Sequence, residues 1–394
     1  MIDVARARAD TPGCHDVVHL NNAGAALPTR DVLDTVIQHL ELEARVGGYM
    51  AADLVAERSS AVYSSVATLV GATAHEIALV ENATRAWDMV AYSLGASFRP
   101  GDRVLTSRAE YASNVIGLLQ LARRTGATVE VVPDDDDGQL SVDALSTMLD
   151  ERVRLVAMSW IPTQGGLVNP AAEVGAVTRA AGVPYLLDAC QAIGQLPIDV
   201  GSLGCDFLSA TGRKYLRAPR GTGLLYVRDE WIERLDPPFL DVHAAQWAPG
   251  DVVIPRADAR RFESWERSVA NQLGLGAAAD HALALGVDAI AERVVGLAAS
   301  MREQLGDVPG LTLHDRGVER CGIVTFTVEG LDVYDLAASL RTQGINISVS
   351  TIDFARYDFE ARGLTVVARA SVHYYNTDDE LTRLVDAVAI AAHA

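Results

Sequence analysis

Asp188 and Lys214 are the residues in this chain whose types and spacing most directly offer chemistry. They lie in the stretch LLDACQAIGQLPIDVGSLGCDFLSATGRKYLRAPRGTGLLYV, residues 186–227, where two apolar runs, VPYLLD and CDFLSA, each end in polar or small residues. The pattern predicts two strands, with Asp188 at the tip of the first and Lys214 just past the tip of the second, after Thr211 and Gly212. Ligands of open α/β sheets bind at strand tips. A free lysine amine, with a pKa of about 10.4, is protonated and a poor nucleophile. Buried beside another cation or an electron-poor ring, it loses its proton and can form a Schiff base with a carbonyl compound. A lone lysine is usually a solvated surface residue, so the neighbouring residues decide the reading.

Three further stretches could serve such a site. ALVENATRAWDMV, residues 78–90, reads as a strand, the turn Asn82-Ala83-Thr84 and a helix. The first N–H groups of a helix and its dipole suit a phosphate, although a plain N-cap would read the same way. RAEYASNV, residues 108–115, follows another strand and offers the aromatic face of Tyr111. VVARASVHYYNTDDEL, residues 366–381, carries Arg369, whose planar fork is suited to a carboxylate; an exposed charge on a strand edge is the plainer alternative.

These stretches resemble the aminotransferase class V group of fold-type I enzymes, which use pyridoxal 5'-phosphate (PLP) and include the cysteine desulfurases. The group's pattern is a strand ending in D-x-x-Q, then D-F-L, a Ser or Thr, Gly, His and Lys, then G-P-x-G-x-G-x-L-Y. This chain reads DACQ at 188–191, DFLSATGRK at 206–214 and APRGTGLLY at 218–226. The resemblance implies that Lys214 forms the Schiff base with PLP, that Asp188 keeps the ring nitrogen protonated, that Gln191 contacts the phenolic oxygen, and that Thr211, Ala83 and Thr84 bind the phosphate. Tyr111 stands in place of the group's ring-stacking histidine, and tyrosine is a poorer proton carrier at neutral pH. Thr163, in SWIPTQGGLVNP, stands near the cofactor where desulfurases have asparagine. Arg369 matches R-x-S-x-x-x-Y-N-T and is expected to receive the substrate's α-carboxylate. Substrate-pocket candidates are Asn22 and Ala25 in LNNAGAALP, Tyr49 in EARVGGYMA, and Trp265 in RRFESWERSVAN. The first two segments also read as an ordinary turn and a glycine helix stop.

Four departures bear on the reaction. Arg213 replaces the histidine before the lysine, which removes a histidine proton relay there. The loop before Arg369, SVSTIDFARYDFEARG, holds no cysteine, so persulfide formation is not expected, and Ser348, Ser350 and Thr351 have no visible base. The P-T-x-G-G-L-V-N-P form is similar to the epimerase-like and C–S lyase-like branch. In desulfurases F-E-x-G-T-x-N sends a threonine to the neighbouring subunit's phosphate, and here Trp265 and Glu266 occupy that region. The resemblance therefore implies a lyase in which Lys214 takes the α-proton of an S-substituted cysteine and a β-thiolate leaves, giving aminoacrylate, as in the C–S lyases of ergothioneine and lincosamide-type biosynthesis. Epimerisation and decarboxylation with oxidative deamination remain open, as does a PLP-binding regulator without turnover.

The rest of the chain must position these residues. From about 60 to 230, short apolar runs (IALV, RVLTS, VEVV, RLVAMSW, PYLLD, DFLSA) alternate with helical patterns, which predicts an α/β fold with a mainly parallel sheet covered on both faces. The family likeness makes this a seven-stranded type of sheet in a large domain, residues 26–265, with a discontinuous small α+β domain of residues 1–25 and 266–394. With 394 residues, 49% apolar and 22% charged, the chain can bury a large core. Its net charge of −19 argues against nucleic-acid and anionic-membrane partners. Four cysteines, none in C-x-x-C spacing, suggest neither a zinc site nor a disulfide framework. No apolar run has the length of a membrane span or a secretion signal, so a cytoplasmic protein is expected; the family resemblance implies a homodimer with its active sites near the subunit interface, acting on a small amino-acid substrate.

Overall fold

The structure is a computed structural model describing residues 2–393. Its central sheet has seven strands in the order Ile77–Val80, Gly223–Val227, Phe207–Thr211, Tyr185–Asp188, Val153–Ser159, Arg103–Thr106 and Thr128–Val131. Gly223–Val227 runs antiparallel to both neighbours, and the other six strands share one direction. The sheet is thus mixed but mainly parallel.

Its strands are nearly continuous apolar runs because both faces are covered. Side chains alternate across a strand, and this assigns them to two cores. Leu155, Leu186, Phe207 and Leu225 pack with Trp87, Val90, Leu118 and Leu121 from the helices Ala83–Gly95 and Ala112–Thr125. Val156, Leu187, Leu208 and Leu224 face the opposite core, with Val66 and Val174 from Ala56–Val70 and Ala171–Ala181. Each such side chain contributes about 1.5–3 kcal/mol when buried. A register slip of one residue would exchange the two faces, so the strand tips carrying Asp188 and Thr211 are firmly fixed.

A second, antiparallel sheet orders its strands as Leu311–Leu313, Ile323–Val328, Val366–Ser371 and Ser348–Thr351. Arg369 lies on a central strand there, opposite Thr325 and Ser348. The residues read from sequence as one loop before Arg369 instead form the edge strand Ser348–Thr351, a short 3-10 turn and the helix Arg356–Arg362. Phe359 and Val367 make a small core of their own beneath them.

The chain start is tied to this second sheet. Val18–His19 pairs in parallel with Ile345–Asn346, and Ser371 N donates to Leu20 O at 2.7 Å. Helix Val269–Leu285, beyond the boundary drawn at 265, packs against Arg30–Val46 and Ala56–Val70. Gly286, with φ of 82°, then turns the chain into Val287–Gly306, which packs on the second sheet. A hairpin that the sequence reading does not contain, Ala245–Ala248 with Val252–Pro255, exposes Trp247, Val252, Val253 and Ile254. Among the described residues, no helix is long and apolar enough to cross a membrane.

Candidate active site

The strand tips of the large sheet meet in a pocket lined by Asn82, Ala83, Thr84, Tyr111, Asn114, Ser159, Ile161, Thr163, Asp188, Cys190, Gln191, Thr211, Arg213 and Lys214. Eight of the residues singled out from sequence (Ala83, Thr84, Tyr111, Thr163, Asp188, Gln191, Thr211 and Lys214) are therefore brought together.

Lys214 is set in place by a tight turn after Phe207–Thr211, in which Arg217 N donates to Lys214 O and Ala218 N to Gly212 O, both at 2.9 Å. Arg217 has a φ of 65° without being glycine, a conformation that costs on the order of 1–3 kcal/mol unless its surroundings hold it. Its guanidinium does so, donating to Leu27 O at 2.7 Å, to Thr11 Oγ1 at 2.6 Å and to the Tyr374 hydroxyl. Gly194 lets the turn after Gln191 come close, since a Cβ there would lie 2.6 Å from the backbone of Leu216. Lys214 Nζ stands 6.0 Å from the centre of the Tyr111 ring. Burial is the main cause that pushes its pKa below the ordinary lysine value, and the charges of Arg213 and Arg369 add to it, while Cys190 and Asp188 oppose. The result favours a free amine.

Asp188 ends its strand and is held on both oxygens. Cys190 N donates to Oδ1 and Asn114 Nδ2 to Oδ2, each at 2.8 Å. The other hydrogen of the Asn114 amide goes to Glu110 Oε1 at 2.9 Å. Asn114 and Glu110 are the positioning residues that were not singled out from sequence, although both fall within the quoted RAEYASNV; Asn114 is in the first turn of the helix Ala112–Thr125, and Glu110 just precedes the Tyr111 N-cap. Glu110 also accepts from Tyr111 N at 2.8 Å and from Ser159 N and Oγ at 2.7 and 2.5 Å. Burial, and secondarily the charge of Asp188, pushes the Glu110 pKa up to about 7 against these donors.

A raised carboxyl pKa means that the folded state keeps a proton which the unfolded chain gives up near pH 4.5. Stability is therefore fully retained at lower pH and falls as pH rises towards about 7, by up to something on the order of 3 kcal/mol. Urea unfolding at pH 5 and pH 7.5 should show this loss, and Glu110→Gln should shrink it. Equal pH slopes in the two proteins would rule the assignment out.

On the opposite wall, Asn82 caps the helix Ala83–Gly95 by accepting from Arg85 N at 2.9 Å, leaving the first N–H groups at the pocket. Gly223 makes room for this turn, because a Cβ there would lie 2.9 Å from Asn82 C. Arg369 reaches in from the second sheet, with Nη1 donating to Thr163 O and Oγ1 at 2.9 and 2.7 Å and Nη2 to Asn21 Oδ1 at 3.3 Å. Its Nε, and Gln191 Oε1, are buried without a partner among the described residues.

Four expected substrate residues are not at the pocket. Asn22 is wholly buried, with its amide donating to Ser371 O at 2.7 Å and accepting from the Tyr375 hydroxyl; its neighbour Asn21 is the one that meets Arg369. Ala25 is outside the lining, and its carbonyl bonds His19 Nε2 at 2.9 Å. Tyr49 is 82% exposed and Trp265 is 50% exposed, so neither lines this pocket within one chain. Gly47, with φ of 85°, ends the helix Arg30–Val46, as its helix-stop reading requires. The thiols of Cys14, Cys190, Cys205 and Cys321 are all pushed up by burial, Cys205 and Cys321 to about 12. Cys190, in the pocket wall, is raised further by Asp188.

An amine biased towards its free form, a doubly held carboxylate, a helix N-terminus and orphaned polar atoms at Gln191 and Arg369 make a donor set that fits a phosphorylated aldehyde with a basic ring nitrogen. Comparison with known proteins agrees. The aminotransferase class-V family profile matches residues 18–384, and the chain belongs to that family. A probable cysteine desulfurase of Xylella fastidiosa (strain Temecula1 / ATCC 700964) is 30% identical over 397 residues, covering 98% of this chain and 95% of the relative. The cysteine desulfurase CsdA of Escherichia coli, in its S-sulfonic acid form, superposes with a TM-score of 0.93 at 25% identity, over 100% of this chain and 99% of that one. The cystine C–S lyase C-DES, solved with its product cysteine persulfide, shares the fold with a TM-score of 0.86 at 21% identity, over 96% and 99% of the two chains. The protein is thus a PLP-dependent lyase of fold type I.

Proposed function

We propose that this lyase splits the C–S bond of an S-substituted cysteine, taking up water overall and releasing the thiol, pyruvate and ammonia. The observation that carries the reading is a pocket with a primed amine and no thiolate. Desulfuration through a protein persulfide needs a nucleophilic cysteine, and all four thiols are pushed towards the protonated form, desolvation being the first cause in each, Cys190 in the pocket wall included. Bound PLP would supply the electron sink for charge developing at Cα.

In this reading Lys214 holds the cofactor and moves the α-proton. Asp188, fixed by Asn114 and Cys190 N, faces the ring nitrogen. Tyr111 would cover one face of the ring, and Ala83, Thr84 and Thr211 would take the phosphate. Gln191 and Thr163 stand by the phenolic oxygen. The partnerless Nε edge of Arg369 receives the α-carboxylate as a bidentate pair. Fixing that carboxylate would orient Cα so that its hydrogen is presented to the Lys214 amine, and loss of the thiol would then need only a thiolate as leaving group. Tyr49 and Trp265, exposed on one chain, keep a part in shaping an S-substituent pocket only across the interface of a homodimer. The large unit in this reading runs on to Gly286, and residues 1–25 go with the second sheet.

The test is a panel of S-substituted cysteines incubated with holoenzyme in deuterium oxide and read by mass spectrometry. Thiol and pyruvate should form, free cysteine should be a poor sulfur donor, and no protein persulfide should accumulate. Deuterium at Cα with sulfur retained would mean epimerisation, and carbon dioxide with an aldehyde would mean oxidative decarboxylation; either result would overturn the lyase reading.

A further inference from the structure

Arg369 reaches the pocket from the second sheet, while Thr163, which accepts from its Nη1, belongs to the segment that follows strand Val153–Ser159 of the large one. How the guanidinium faces the pocket therefore depends on how these two units are held against each other. One carboxylate outside the pocket lining ties both to a common point. Asp315 Oδ1 accepts from Gly166 N at 3.2 Å, three residues after Thr163, and from Thr325 N and Oγ1 at 2.9 and 2.7 Å. Thr325 is the residue opposite Arg369 on the neighbouring strand. Oδ2 of the same side chain accepts from Arg302 Nε at 2.7 Å, and Arg302 Nη2 goes on to the carbonyls of Cys321 and Ile323 at 2.8 and 2.6 Å.

The network is closed to solvent and tightly fitted. The side chains of Asp315 and Arg302 are 1% and 9% exposed. Gly166 O accepts from Cys321 N at 2.8 Å, and a Cβ at Gly166 would press on Arg302 and lie 2.8 Å from Ile323 O. Gly166 is not among the glycines of positive φ, so the lack of space, and not the backbone conformation, calls for glycine here. An ion pair this deep returns little net stability over apolar packing, but it is directional. Direction matters to Arg369, because a fork that must meet both oxygens of a carboxylate tolerates little displacement: a misplacement on the order of 1 Å costs about 10²-fold.

We propose that Asp315, held by Arg302, is a positioning residue for the substrate's α-carboxylate. By fixing Gly166 and Thr325 to one side chain, it sets Thr163 and Arg369 at the spacing in which the Arg369 fork takes the carboxylate. This rests on the reading of Arg369 as the carboxylate site. Lys214, Asp188 and the turn Asn82–Thr84 make no hydrogen bond with Asp315 or Arg302 among the described residues, so the pair acts on the substrate's end of the pocket and leaves the hold on the cofactor to the strand tips.

The test compares 3-(methylthio)propionate with 3-(methylthio)propanamide, which match in size and differ in charge. Neither has an amine to condense with PLP, so their affinities for holoenzyme are read by ligand-observed NMR without any turnover. Wild-type protein should bind the acid at least about tenfold more tightly than the amide, and Arg369→Gln should bring the ratio to within about twofold of one. Asp315→Asn keeps an acceptor for Gly166 and Thr325 but turns an NH2 towards Arg302; it should cut the ratio at least about threefold while the PLP Kd stays within about twofold of wild type. Gly166→Ala displaces the same segment from the other side and should act likewise, and it decides the matter if Asp315→Asn does not fold. A wild-type ratio in either folded variant overturns the inference, since a merely structural pair would lower only the unfolding midpoint. So does a PLP Kd that weakens as much as the ratio falls, because the pair would then support the whole site. The reading of Arg369 is scored separately: no binding of the acid, a wild-type ratio near one, or a ratio that survives Arg369→Gln removes that reading and the inference with it. A ratio lost in Arg369→Gln and kept in Asp315→Asn and Gly166→Ala removes the inference alone.

Discussion

Lys214→Ala will yield a protein without the visible absorption of bound PLP and with turnover lower by about 10⁴-fold or more, since a positioned proton carrier alone contributes about 10²–10⁴. Two roles are lost together, the covalent hold on the cofactor and the movement of the α-proton. The fold should survive. Among the described residues the Lys214 amine has no hydrogen-bonded partner that its removal would strand, and the turn around it is held by backbone bonds and by Arg217. Removing an amine whose charged form burial and two arginines already disfavour should leave the unfolding free energy within about 1 kcal/mol of the parent. Absorption spectra, borohydride reduction followed by peptide mapping, and unfolding curves check the three parts. Added methylamine should restore part of the proton transfer. A cofactor adduct that borohydride still fixes to the mutant chain would assign the amine to another residue.

Much of this site was legible in the sequence because its residues sit at strand ends. An apolar run that stops at Asp188 and another that stops at Thr211 announce their own tips, and the sheet order then brings those tips together. The likeness to aminotransferase class V added the roles. What could not be read are choices that only packing makes. Asn21 and Asn22 are adjacent and chemically identical. The fold turns Asn22 inward, to Ser371 and Tyr375, and leaves Asn21 to Arg369. The buried Glu110 reads in sequence as an ordinary acidic residue, because its raised pKa comes from desolvation, which composition does not show. Residues 348–363 read as a loop because the serine- and threonine-rich edge strand there has only a half-buried pattern. Tyr49 and Trp265 were drawn to the pocket by likeness alone, and one chain leaves both in solvent.

Asp188→Asn should reduce kcat by at least about 10²-fold, with a smaller change in KM, while the protein still folds and still binds PLP through Lys214. Each pKa unit by which the carboxylate favours a proton on the ring nitrogen corresponds to about 1.4 kcal/mol, and an uncharged amide at the same place withdraws that support. The hydrogen bonds around position 188 say when the variant will fold well. Cys190 N can still donate to the amide oxygen, but the new NH2 would face the NH2 of Asn114, which donates to Oδ2 in the parent. Asn114 can flip to present its oxygen, and that oxygen can be accommodated beside Glu110 only when Glu110 carries a proton to share. The Glu110 pKa of about 7 therefore enters again: the variant should be most stable on the acid side of pH 7 and lose more stability than the parent as pH rises through it. Steady-state kinetics and urea unfolding at pH 6 and pH 8 test both halves. Parental kcat in Asp188→Asn would take this carboxylate out of the mechanism, and a stability loss independent of pH would break the proposed link from Asp188 through Asn114 to Glu110.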